Sequence, residues 1–186
     1  MIKNKNFVLN LLTVIFVSGF ISFDSEPPVF DKSKLIGSYT GDCTILLGLK
    51  SEVVSDFPVE FKQKDAQSLY LIIGNETTYA STGFSAMKIA SGFKDYGSYA
   101  GFNLEGFNDT FGIEQIPNFI EKNFTFPWNM KSMTLNLTVD SKNPPKYIVS
   151  SKNLTFTYTG MIEIKGSASG QSSTSSIKYT FNLNKK

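Results

Sequence analysis

The chain is expected to be all-β: an antiparallel up-and-down barrel of about eight to ten strands, with a β-sandwich as the alternative. Three observations carry this. Apolar and polar residues alternate with period two through most of residues 34–184, as strands with one buried face require. The apolar parity is filled by Phe, Tyr, Ile, Val and Leu, with Thr, Asn and Lys between them, which suits a pleated, half-buried surface. No segment shows the 3.6-residue repeat of a long amphipathic helix.

Residues 1–19 read as an export signal. Lys3 and Lys5 precede an apolar run over residues 7–21, and Val17 and Gly19 suit a peptidase site, so cleavage is expected after Gly19. The run is shorter than the ~20 residues of a spanning helix. An uncleaved membrane anchor is the competing reading. No cysteine lies near the end of the run, as lipid attachment would need, and Cys43 is too far on. Residues 20–33, with Pro27 and Pro28, read as an extended linker, and residues 34–186 as a single barrel domain. The mature protein is expected in the periplasm, at the cell surface or secreted.

The strands follow in order. Tyr39, Gly41, Cys43, Ile45 and Leu47 share the inner parity of the first. Phe57, Val59 and Phe61 follow. Met133, Leu135, Leu137 and Val139 form a later one. Leu154, Phe156, Tyr158, Ile162 and Ile164 face one way, as do Ile177, Tyr179, Phe181 and Leu183. These last two strands flank a Gly/Ser-rich loop over residues 166–173 and read as a hairpin. Residues 114–123, divided by Pro117, can hold one short helix.

Charge and composition exclude several functions. The chain has 18 Lys and Arg against 16 Asp and Glu, all 18 being Lys. Removing residues 1–19 takes two lysines and no acid, so the mature domain is near neutral. It lacks the basic field that steers nucleic acid or an anionic membrane, and no partnership with either is expected after signal cleavage. With no histidine, Ser-His-Asp and Cys-His nucleophile systems are impossible. Zinc, copper and non-haem iron sites lose their usual ligands, and no metal site or cofactor is expected. Cys43, on the inner parity, reads as a small buried hydrophobe rather than a reactive thiol.

What remains is weaker chemistry. Asp95 and Asp109 lie near glycines, where calcium ligands gather, though turn-stabilising roles explain such residues more simply. A carboxylate pair able to hydrolyse glycosides needs neither histidine nor metal. Most acids alternate outward, however, as Glu60 does between Val59 and Phe61. No catalytic residue is assigned. Residues 93–102 concentrate aromatics and glycines in what reads as a loop, and residues 124–130 hold the only tryptophan. Tyr96, Tyr99, Phe102 and Trp128 are therefore the candidate ligand-binding residues, their rings either contacting a ligand or closing the core. Trp128 reads as a lining residue or as a plug. Asn-x-Thr triplets begin at Asn75, Asn108, Asn123, Asn136 and Asn153; they are glycan acceptors only in a eukaryotic secretory setting.

Three segments resemble a known family. "LIGSYTGDCTI", residues 35–45, is similar to the Gly-x-Tyr-x-Gly first strand of calycin-like or lipocalin-like domains in exported Bacteroidetes proteins. "LTFTYTGMIEIKG", residues 154–166, and the final strand look like that family's closing hairpin. "GFNLEGFNDTFGIEQIP", residues 101–117, is also reminiscent of it. The resemblance implies an eight-stranded barrel-like fold and no established activity. It transfers no catalytic residue.

The function expected is thus an exported, non-enzymatic barrel that binds a small apolar ligand or a protein or glycan partner. An eight-strand barrel is just wide enough to be filled or to hold one small ligand. A solid-core interaction, inhibitor or carbohydrate-contact module is the alternative, and a carboxylate hydrolase a third.

Overall fold

A computed structural model describes residues 31–66, 68–125 and 128–186. The expected export signal, most of the expected linker, and Gln67, Phe126 and Pro127 lie outside the described residues.

Ten antiparallel strands form one sheet: β1 (Gly37–Leu47), β2 (Lys50–Gln63), β3 (Leu69–Ile73), β4 (Met87–Asp95), β5 (Tyr99–Asn103), β6 (Phe107–Gly112), β7 (Met130–Val139), β8 (Lys146–Ile148), β9 (Asn153–Gly166) and β10 (Ser172–Lys185). Two short helices interrupt them, α1 (Tyr79–Thr82) and α2 (Asn118–Asn123). α2 begins after Pro117, whose fixed φ suits a helix start. Among the described residues no helix is long and apolar enough to cross a membrane.

Eight strands close a ring in the order β10-β1-β2-β3-β4-β5-β8-β9, because β10 pairs with β1 on one edge and β9 on the other. The result is barrel-like, and closure hides the edges that a sandwich would leave free. Sequential order holds from β1 to β5 and from β8 to β10. It breaks at β6 and β7, which stand outside the ring. The cause is a mismatch of lengths. β8 has only three residues and covers Asn153–Thr155 of the 14-residue β9. β7 takes the rest of that edge, from Tyr158 to Gly166, and β6 adds to β7. β6 and β7 thus form a two-strand wing on the ring.

The period-two assignments match the buried faces. Phe57, Val59 and Phe61 are buried, as are Met133, Leu135, Leu137, Leu154, Phe156, Tyr158, Ile162, Ile164, Ile177, Tyr179, Phe181 and Leu183. Cys43 is a buried free thiol, pushed up in pKa by that burial. The ring interior is aromatic. Phe156 and Phe181 stack at 4.2 Å, and Tyr39 meets Phe61 and Tyr147 edge-on.

One residue fills the ring from its end. Phe84, between α1 and β4, is buried and meets Phe57, Phe107, Tyr179 and Phe181 at centroid distances from 5.0 to 6.3 Å. The Tyr179 hydroxyl donates to the Thr82 carbonyl, fixing α1 over the opening. Phe84 thus closes this end of the ring, while Trp128 lies against Gly166 at the end of β9.

Two segments differ from the expected layout. Pairing of β9 with β10 runs to Lys165 and Ser172, so the loop between the strands is shorter than residues 166–173. Residues 93–102 are a hairpin rather than a loop, because β4 and β5 pair from Gly92–Asn103 to Asp95–Ala100.

Candidate functional site

The β4–β5 hairpin builds a structured surface site. Its tip turns at Gly97, whose φ of 79° lies in the left-handed region that glycine adopts without strain. The Ser98 N–H donates to the Tyr96 carbonyl, and the Tyr96 N–H donates to the Tyr99 carbonyl. This turn brings Tyr96 and Tyr99 side by side. Their rings stack at 4.8 Å with an interplanar angle of 13°.

Two features hold the pair in place. Gly101 has no side chain, and a Cβ there would stand 3.1 Å from Tyr96 Cε2; the ring therefore lies against bare backbone. On β4, Lys94 Nζ sits 5.4 Å from the Tyr96 ring centroid, within cation–π range. Tyr96 remains 51 % exposed, an unusual state for a large ring with a fixed orientation.

The opposite wall comes from β8 and the segment before it. Pro144, Pro145, Lys146 and Ile148 face Tyr96, Tyr99 and Lys94 across a groove of about 560 Å³. The Phe102 N–H donates to the Pro145 carbonyl, and the Val149 N–H to the Ser98 carbonyl; together they tie the two walls. The groove offers ring faces, proline edges, two ammonium groups and the hydroxyl of Ser98. Its described lining residues include no carboxylate. Such a surface is chemically complementary to a molecule that has both apolar faces and acceptor oxygens.

Of the four candidate residues, the structure brings Tyr96 and Tyr99 together on this surface. Phe102 lines the same groove, but strand parity turns its ring inward. It is buried and stacks on Phe61 at 5.1 Å. Trp128 is elsewhere. It lies against Gly166, at the opposite end of β9 from the part that pairs with β8. Lys94, Pro144, Pro145 and Lys146 were not singled out from the sequence. The direct β5–β8 pairing that gathers them skips two intervening strands, and no local pattern announces it.

The other expected sites are less organised. Asp95 ends β4 and Asp109 lies within β6, on different parts of the sheet; neither sits in a free-standing turn. Asp109 accepts from its neighbour's Thr110 N–H. Among the described residues, no group of three or more His, Cys, Asp or Glu gathers. Glu76 and Asp109 line one open depression with Tyr79. Both acids are exposed, whereas an acid–base pair for glycoside hydrolysis places one carboxyl in a dry, apolar setting. Burial and the Asp109 charge push the Tyr79 phenol up, and its hydroxyl donates to the Gln115 carbonyl.

The Asn-x-Thr asparagines are engaged in the fold. Asn75 caps the turn before α1 by accepting from the Thr77 and Thr78 N–H groups. Asn108 donates to Asn136 across the wing, Asn123 to the Phe119 carbonyl, and Asn153 to Asn182 and the Leu183 carbonyl. A glycan on Nδ2 of Asn108, Asn123 or Asn153 would compete with these bonds, whereas Asn75 and Asn136 accept through Oδ1, which a glycan leaves in place.

Neither a protein-family profile nor a curated protein matches the chain. A crystal structure of a protein of unknown function from the DUF3598 family of Nostoc punctiforme aligns with 86% of this chain and 51% of its own, at 12% identity and a TM-score of 0.29. The chain therefore spans about half the length of that protein.

Proposed function

We propose that this is an exported, non-enzymatic binding module whose ligand is a glycan, held on the outer groove and not inside the ring. The stacked, half-exposed Tyr96–Tyr99 pair carries this reading. A pyranose presents a flat C–H face to an aromatic ring and hydroxyls around its rim; Lys94, Ser98 and Lys146 supply donors at that rim. The ring interior is occupied by Phe84 and its aromatic neighbours, so an apolar ligand there would have to displace them. Export rests on residues 1–19. Membership of the calycin-like exported domains rests on the similarity of residues 35–45 and of the closing hairpin.

The test is calorimetric titration of the mature chain with cello- and galacturono-oligosaccharides, beside Tyr96→Ala/Tyr99→Ala. Loss of two stacking contacts, about 0.5–1.5 kcal/mol each, is expected to weaken binding about five- to 150-fold. Unchanged binding in the double variant would remove the groove from consideration.

A further inference from the structure

The groove does not end at β8. A second depression, of about 420 Å³, shares Pro144 and Lys146 with it and continues over β9 and β10 to Thr155, Thr180 and Asn182. The strand registers show why the two are continuous. Lys94 pairs with Gly101, Gly101 with Lys146, Lys146 with Thr155, and Thr155 with Asn182. These positions form one continuous row that curves around the outer face of the ring across β4, β5, β8, β9 and β10. Five strands set about 4.8 Å apart give a row of roughly 19 Å. The Tyr96 ring lies over its second position. The loop before β8 walls the far half, its Asp140 N–H donating to the Thr157 carbonyl.

Charge along the row is uneven. Lys94 and Lys146 lie in it, and Lys142 leans on it from the loop. Asp140 stands nearby, but its carboxylate accepts from the Lys142 N–H and from Asn143 Nδ2 within its own loop. Asp42, across from Asn182 on β1, marks the row's acidic end. Between these limits the track offers three ammonium groups and a run of hydroxyl and amide side chains.

From this geometry we propose that the ligand is an anionic oligosaccharide chain, laid across the strands, with one sugar on Tyr96–Tyr99 and its acidic groups facing Lys94, Lys146 and Lys142. The inference rests on the glycan reading of the groove and adds direction, length and charge to it. Uronate and sulfate groups supply the same chemistry.

The experiment is a length series. Galacturono-oligosaccharides from dimer to hexamer, with cello-oligosaccharides as neutral controls, are titrated into the mature chain and into Lys142→Glu, Asn182→Asp and Tyr96→Ala/Tyr99→Ala. Melting curves establish that each variant folds. The expected result is affinity for the acidic series that rises at least tenfold from dimer to hexamer. Lys142→Glu and Asn182→Asp should abolish that rise while leaving dimer binding intact. Affinity independent of length, yet lost in the tyrosine variant, would overturn the track and leave the groove standing. Equal affinity for neutral and acidic hexamers would overturn its anionic character. Failure of every oligosaccharide to bind, or indifference to the tyrosine variant, would overturn the glycan reading itself.

Discussion

Buried hydroxyls and a buried thiol set the chain's response to alkali. Tyr39, Tyr158 and Tyr179 donate to the carbonyls of Leu35, Glu105 and Thr82, so each phenol is both desolvated and bonded in its protonated form. Burial raises all three above their ordinary value of 10.0 and raises the Cys43 thiol above 9.0. Unfolding would release these protons once the pH passes the ordinary values, because the unfolded chain then binds fewer protons than the folded one. Stability is therefore fully present below about pH 9 and falls as pH rises toward the raised folded values. Urea midpoints are expected to hold steady at neutral pH and to decline above about pH 9. Tyr179→Phe should lower neutral stability by about 1 kcal/mol and flatten that decline. A decline equally steep in the variant would remove Tyr179 as a source of the effect. At this scale the sequence was partly legible. Cys43 could be placed inside because its neighbours at spacing two are Gly41 and Ile45, and Tyr96 and Tyr99 stood out by clustering beside glycines. Phe102 could not be sorted from them without knowing that β5 starts at Tyr99, since that start alone makes its parity inward.

Among the elements, α1 and the residues after it decide whether the ring is solid. Phe84 is 1 % exposed and touches rings from β2, β6 and β10. Phe84→Ala is expected to cost about 3–5 kcal/mol, as a large-to-small change in a rigid aromatic setting leaves a cavity rather than collapsing. The same variant should admit a small apolar probe such as benzene, raising its melting temperature, where the parent chain shows no such effect. A small loss with no probe binding would mean that the surrounding rings relax into the space. Nothing around position 84 gave this away. "TGFSAMK" has no alternation, and a lone Phe between Gly and Ser reads as loop. The long strands were legible because one buried face fixes their parity over many residues. The three-residue β8 and the β6–β7 wing were not, because their places follow from edges left unpaired elsewhere in the sheet.

A closed ring has a seam where its first and last strands meet. Here the seam is β1–β10, where Tyr39 pairs with Lys185 and Leu47 with Ile177. The Lys186 N–H donates to the Ser38 carbonyl, and Lys185 Nζ donates to the Lys34 carbonyl, so the end of β10 already lies beside the start of β1. Joining Lys186 to Asp31 through a short Gly/Ser linker and opening the chain between Ser169 and Gly170 moves the seam to β9–β10. One long-range closure then becomes local and one local closure becomes long-range. Loop-closure entropy grows only with the logarithm of length, so the two changes nearly cancel at equilibrium. The permutant is expected to keep its stability within about 1 kcal/mol and its groove affinity unchanged, because the groove and its continuation use the ends of β9 and β10 opposite the new termini. Its folding rate need not be preserved. The β9–β10 hairpin, paired from Asn153–Asn184 to Lys165–Ser172, is the longest local pairing in the chain and the natural place for folding to begin. Opening it removes that early contact, and slower refolding with little change in unfolding is the expected kinetic signature. Equilibrium destabilisation by several kcal/mol instead would mean that the covalent β9–β10 connection, and not ring closure, holds the molecule together.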